Sequence, residues 1–104
     1  MSAEYWMEVD GVPVRTDDMV AAWSADRTVA KDTIGGVLVS TVFLTIDHGF
    51  GYGAPVLYET MIFGGDDDGY CKRYSTSEAA LVGHRRAADA VRSGRPVEPP
   101  EDDE

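Results

Sequence analysis

The chain has 104 residues but only one cysteine, two histidines and nine basic residues. Each scarcity excludes something. With Cys71 alone, no intrachain disulfide can form, and a zinc site built from several cysteines is ruled out. Nine bases stand against nineteen acids, a formal charge of −10. The chain therefore lacks the basic face that displaces counterions from a duplex, which argues against non-specific binding to double-stranded DNA. The same shortage argues against a polybasic membrane anchor. No apolar run approaches the length of a membrane span. Glu4, Glu8 and Asp10 precede the first base, the reverse of a secretory leader. These absences predict a soluble chain in a reducing cytoplasm.

What is present is enough for a core. Hydrophobic residues make up 43% of the chain, too many for a disordered polymer, and the length suits one domain. From Pro96 onward the composition turns to proline and acid. The expected organisation is a single domain over residues 1–95 and a disordered acidic tail over 96–104.

The first element predicted is a hairpin. Tyr5, Met7 and Val9 alternate with Trp6 and Glu8, and Asp10-Gly11 tolerates the positive φ of a tight turn. Val12 to Arg15 returns antiparallel, with Pro13 marking an edge strand. Thr16-Asp17-Asp18 reads as a helix start, followed by Met19, Val20 and Trp23 at helical spacing. Thr28–Ile34 and Val37–Ile46 flank Gly35-Gly36 as two strands of a second hairpin. The latter strand is apolar on both faces, which places it centrally. Further strands are expected at about Val56–Phe63 and Tyr70–Tyr74. A second helix opens on a capping box, Ser75-Thr76-Ser77-Glu78, with Ser75 as the cap. Leu81, His84, Ala88 and Val91 then define a buried stripe, and Gly94 with Pro96 ends the helix. The order ββαββββα predicts an α+β fold, an antiparallel sheet of five or six strands with two helices on one face.

Few residues carry chemistry. The glycine-rich loop from Asp47 to Pro55 is longer than a hairpin needs. Phe50 and Tyr52 would stack on a flat ligand, and Asp47 would orient His48; alternatively the loop is a structural cover. Glu59 lies with Leu57 and Met61 on one strand face and needs a partner if buried, with Arg73, Tyr74 and His84 as candidates. Register arithmetic across the turn at 64–69 predicts a polar cluster of Glu59, Tyr74 and His84 beneath the loop. Asp66-Asp67-Asp68 reads as a solvated turn, because the ligand pattern of a calcium loop is missing. Cys71 reads as a packed thiol, although Lys72 and Arg73 beside it favour a lowered pKa. No catalytic constellation, metal-ligand set or cofactor motif emerges. The expected binding residues are Asp47, His48, Phe50, Tyr52, Glu59, Tyr74 and His84.

Between Val39 and Val91 the chain resembles a group of small uncharacterised proteins of tailed phages and prophages, especially those of actinobacterial hosts. The residues that carry the likeness are Ser40-Thr41-Val42-Phe43-Leu44, Asp47-His48, Phe50-Gly51 and Pro55. Tyr58-Glu59-Thr60-Met61-Ile62-Phe63-Gly64, Arg73-Tyr74-Ser75-Thr76, Glu78-Ala79 and Gly83-His84 continue it, and Ala25-Asp26-Arg27 with Val29-Ala30 also fits. The resemblance implies a phage accessory protein acting in the cytoplasm of an infected host, and no catalytic assignment. Three mechanisms follow. The expected one is a non-catalytic module that binds and modulates a host protein. The alternatives are a binder that sequesters a small nucleotide signal, and a small enzyme using His48, Glu59 or His84. The modulator would present an exposed apolar patch with aromatic anchors, Trp6 and Trp23 being candidates.

Overall fold

A computed structural model of the chain describes residues 5–49 and 53–97. Strands β1 (Tyr5–Val9) and β2 (Val12–Thr16) form a hairpin. Asp10 and Gly11 both take positive φ in its turn, as a two-residue connection matched to strand twist requires. The short helix α1 (Met19–Ser24) follows, capped by the Asp18 carboxylate, which accepts from the Ala21 amide. Strands β3 (Thr28–Ile34), β4 (Val37–Phe43), β5 (Tyr58–Phe63) and β6 (Cys71–Tyr74) then form one antiparallel sheet in sequence order. Helix α2 (Ser77–Ser93) closes the described fold.

The fold is α+β in the expected order, but the strands divide into a sheet of four and a separate pair. Pro13 lacks a donor and the first hairpin is short, so it does not extend the main ladder. It is tied on instead by two bonds. The Trp6 amide donates to the Thr45 carbonyl at 2.8 Å, and the Tyr58 hydroxyl donates to Glu8 Oε2 at 2.7 Å. Among the described residues α2 packs on the four-stranded sheet, whereas α1 packs chiefly on β1. Strand β4 ends at Phe43 rather than Ile46, although Leu44 still donates to the Leu57 carbonyl.

Register explains the core. Val39 pairs with Ile62, Thr41 with Thr60 and Phe43 with Tyr58, and all six are buried beneath α2. They make two apolar clusters. One gathers Phe43, Leu57, Tyr58 and Ala80 with Trp6, Val29 and Tyr74 against it. The other gathers Val39, Ile62 and Ala87, with Ile34, Val37, Tyr70, Val91 and Val97 against it. Phe43 and Tyr58 meet edge to face at 5.3 Å between ring centroids. Each fully buried side chain of this size contributes roughly 1.5–3 kcal/mol.

Helix α2 is rotated from its expected setting. Ala80, Gly83, His84, Ala87, Ala88 and Ala90 face inward, while Leu81 is 40% exposed. Small residues win the inner face because they let the helix sit close to the sheet. At Gly83 a β-carbon would run into the Tyr74 hydroxyl and ring. The cap is Thr76, one residue later than expected, its hydroxyl accepting from the Ala79 amide at 3.1 Å. Gly94 ends the helix in the left-handed conformation. Val97, which composition places in the tail, is half-buried against the second cluster, and its amide donates to Asp67 Oδ1 at 3.4 Å. The rest of that segment, 98–104, lies outside the described residues.

Candidate functional site

The glycine-rich loop is organised from Asp47. Its Oδ1 accepts from the amides of Gly49 at 2.7 Å and Val56 at 2.8 Å, pinning both arms of the loop. These two amides hold the Asp47 carboxyl below its ordinary range, with the nearby His48 acting in the same direction. Asp47 does not orient His48 through a hydrogen bond. Its oxygen is taken by backbone, and the His48 Nδ1–H donates to the Ile46 carbonyl at 2.8 Å, a partner that can only accept. His48 is exposed. Phe50 and Tyr52 lie outside the described residues.

The expected cluster of Glu59, Tyr74 and His84 does not form. Tyr58 is the residue opposite Tyr74, and Glu59 is opposite Arg73. Strand alternation therefore sends Glu59 to the face away from α2 and Tyr74 to the face beneath it. The register is one residue from the one assumed. Glu59 instead accepts from Arg73 Nε at 3.0 Å and from the Cys71 thiol at 3.1 Å. Cys71 is exposed rather than packed, and its thiol is pushed up by partial burial and by the Glu59 carboxylate, which outweigh Arg73. Tyr74 is pushed up to about 12, mainly by burial, with Tyr70 adding to the effect and Arg86 opposing it.

His84 joins a chain that the sequence reading missed. Its Nε2 lies 2.7 Å from Asp32 Oδ2, its Nδ1 lies 2.7 Å from Thr41 Oγ1, and Thr41 Oγ1 lies 2.5 Å from Thr60 Oγ1. Arg92 approaches the other Asp32 oxygen at 3.5 Å. This polar layer lies between the two apolar clusters. Donor roles follow from the partners: an ionised carboxylate accepts, so Nε2 carries a proton, and in the neutral ring Nδ1 accepts from Thr41. Thr41 then accepts from Thr60. The order hydroxyl, imidazole, carboxylate is that of a nucleophile, its base and an orienting acid. Yet Thr41 and Thr60 have no exposed surface and His84 is 5% exposed, so no substrate reaches the hydroxyl. A signal existed in the sequence: Thr41 and Thr60 interrupt apolar alternation on neighbouring strands. Threonine favours strands for other reasons, so the signal does not separate from propensity.

Among the described residues, no helix covers the other face of the sheet. It carries Lys31 and Thr33 from β3, Leu38, Ser40 and Val42 from β4, Glu59, Met61 and Phe63 from β5, and Cys71 and Arg73 from β6. Leu38, Val42 and Met61 are half-buried and Phe63 is 47% exposed. Trp6 belongs to the core, whereas Trp23 is 44% exposed with the Arg27 guanidinium 5.0 Å over its ring. Among the described residues no three His, Cys, Asp or Glu side chains are grouped to hold a metal ion, and no helix is long and apolar enough to cross a membrane. No protein-family model matches the chain, and neither a curated protein nor a solved structure matches it.

Proposed function

We propose that the protein is a non-catalytic binding module that docks a partner protein on the uncovered face of its four-stranded sheet. The observation that carries this reading is the distribution of cover: α2 lies on one face, and the other holds Leu38, Val42, Met61 and Phe63, with Leu38 opposite Phe63 and Ser40 and Glu59 opposite the other two. Antiparallel sheets with one solvated face ordinarily alternate apolar and polar, and here the solvated side is largely apolar on its two central strands. The Glu59–Arg73 pair and Lys31 supply a polar rim, and Phe63 an aromatic anchor at the end of β5. A formal charge of −10 favours a partner with a basic surface, through faster encounter.

An enzymatic reading has less support, since the chain that joins the His84 ring to a hydroxyl is sealed in the core. The likeness to small phage proteins favours a partner in the cytoplasm of an infected bacterium, where the module would modulate a host factor. The test compares full-length protein with Phe63→Arg and Met61→Arg as bait in host-cell lysate. A protein retained stoichiometrically by the parent and lost by both variants, at unchanged melting temperature, is expected. Retention of the same proteins by all three would refute the assignment of this face.

A further inference from the structure

The hairpin β1–β2 turns its charged residues inward and its apolar ones outward. Its register pairs Trp6 with Arg15 and Glu8 with Pro13, and it pairs Met7 with Val14 and Val9 with Val12. Paired residues share a face, so Glu8 and Arg15 lie on one side and the valines on the other. The first side is the engaged one. Trp6 packs against the core cluster, Glu8 accepts from the buried Tyr58 hydroxyl, and the Arg15 guanidinium stands 5.3 Å over the Trp6 ring. The second side is Tyr5, Met7, Val9, Val12, Val14 and Thr16, with no Asp, Glu, Lys or Arg among them. On that side Val9, Val12 and Val14 are 50%, 58% and 44% exposed. A strand pair with one solvated face ordinarily sends its polar residues outward, so this ribbon reverses the usual alternation. Helix α1 packs on β1 and adds Met19, Val20 and Trp23, all exposed. Among the described residues ten large apolar side chains stand exposed, and six of them fall within residues 9–23.

We infer that the unit of β1, β2 and α1 binds a second copy of this chain through the outward face of its hairpin. Area sets the scale. At their fractional exposures the six side chains leave on the order of 500 Å² per chain. Covered in two copies they bury about 1,000 Å², the lower bound for a specific interface, so the dimer is a weak one. Charge selects the occupant. A chain of formal charge −10 repels its own copy wherever acids meet, and the hairpin face brings none to the contact. A two-fold contact sets this face against itself, apolar on apolar, and needs no further complementarity. A foreign partner finds no charge there by which to be selected. Acids stand at the margins instead, Asp10 in the turn and Asp17 and Asp18 between β2 and α1. They repel across the two-fold axis, so salt strengthens the contact. These residues are separate from those of the sheet face on which the proposed function rests.

The experiment is sedimentation equilibrium of the full-length protein from about 1 to about 500 µM, in about 0.1 M and about 1 M NaCl. A monomer–dimer equilibrium is expected. Its dissociation constant should be at least about threefold lower at high salt, where the Debye length falls from about 10 Å to about 3 Å. The double variant Val12→Thr, Val14→Thr keeps β-branched strand residues and makes both positions polar. It should dimerise at least about tenfold more weakly, because each substitution counts twice across a two-fold axis. Amide shifts that depend on protein concentration should centre on Met7, Val9, Val12 and Val14. These are read on the parent chain and need no variant. A chain that stays monomeric throughout overturns the inference and leaves the face to a foreign partner. So does a dimer that loosens with salt, which is held by charge, and so do equal dissociation constants for the parent and the double variant. Concentration-dependent shifts confined to β3–β6 also overturn it, since the copies then meet elsewhere.

Discussion

The buried chain through Thr60, Thr41 and His84 makes an asymmetric prediction. Thr41→Val and Thr60→Val are the same chemical change, on neighbouring strands, at positions paired in register and both fully buried. Area, shape and propensity arguments give them equal cost. The hydrogen-bond order does not. With the His84 ring neutral, Thr60 is the donor end of the chain, so Thr60→Val removes one bond and leaves Thr41 still donating to His84 Nδ1. That is worth about 0.5–1.5 kcal/mol. Thr41 is the middle link. Thr41→Val strands the Thr60 hydroxyl proton on one side and the His84 Nδ1 lone pair on the other, each at about 1–3 kcal/mol. The expected total is roughly 2–6 kcal/mol, a large share of the ~5–15 kcal/mol that holds a domain together. Asp32 adds little to the difference, because its carboxylate is 40% exposed and keeps Arg92 in either variant. Urea unfolding followed by tryptophan fluorescence measures both changes, with equal m-values as the check on a common unfolded state. Thr41→Val should be the more destabilising by at least about 0.5 kcal/mol. Costs equal within error, or the opposite order, would refute the assigned direction of the chain and with it the role of His84 as the acceptor.

Gly83→Ala should destabilise by about 1–3 kcal/mol, since the new β-carbon lands on the Tyr74 hydroxyl and ring; combining it with Tyr74→Leu should recover part of the loss in a thermal melt. Asp47 should titrate below the ordinary carboxylate value near 4 when followed by NMR. Because its folded pKa is depressed, its contribution is present above the unfolded value and is lost as pH falls through the folded one, so Asp47→Asn should flatten the acid side of the stability profile. The amides of Gly49 and Val56 should exchange faster in Asp47→Ala, and unchanged exchange would show that the loop is held by something else.

Element identity was legible because it is written in local periodicity. Asp10-Gly11 and Gly35-Gly36 have the residue types that two positive φ values demand, and all four take them. The alternation of Val39, Thr41 and Phe43 against Leu38, Ser40 and Val42 already separates two strand faces. The site was less legible, and each reason is non-local. The turn across residues 64–69 is longer than a two-residue hairpin, so composition does not specify its register. A shift of one residue exchanged Arg73 for Tyr74 as the neighbour of Glu59. The setting of α2 depended on whether Leu81 or the small residues Ala80, Gly83 and Ala87 would face the sheet. That is decided by how closely Tyr74 and the helix approach, a distance no stretch of sequence contains. The sequence by itself thus determined six strands, two helices, their order and the acidic charge, because hydrogen-bonding periodicity and turn chemistry act over a few residues. Only the tertiary structure decided that Asp32, Thr41, Thr60 and His84 meet, over separations of up to 52 residues, and that among the described residues α2 lies on one sheet face alone. Those outcomes depend on packing a whole helix onto a whole sheet, where the burial of every residue constrains every other.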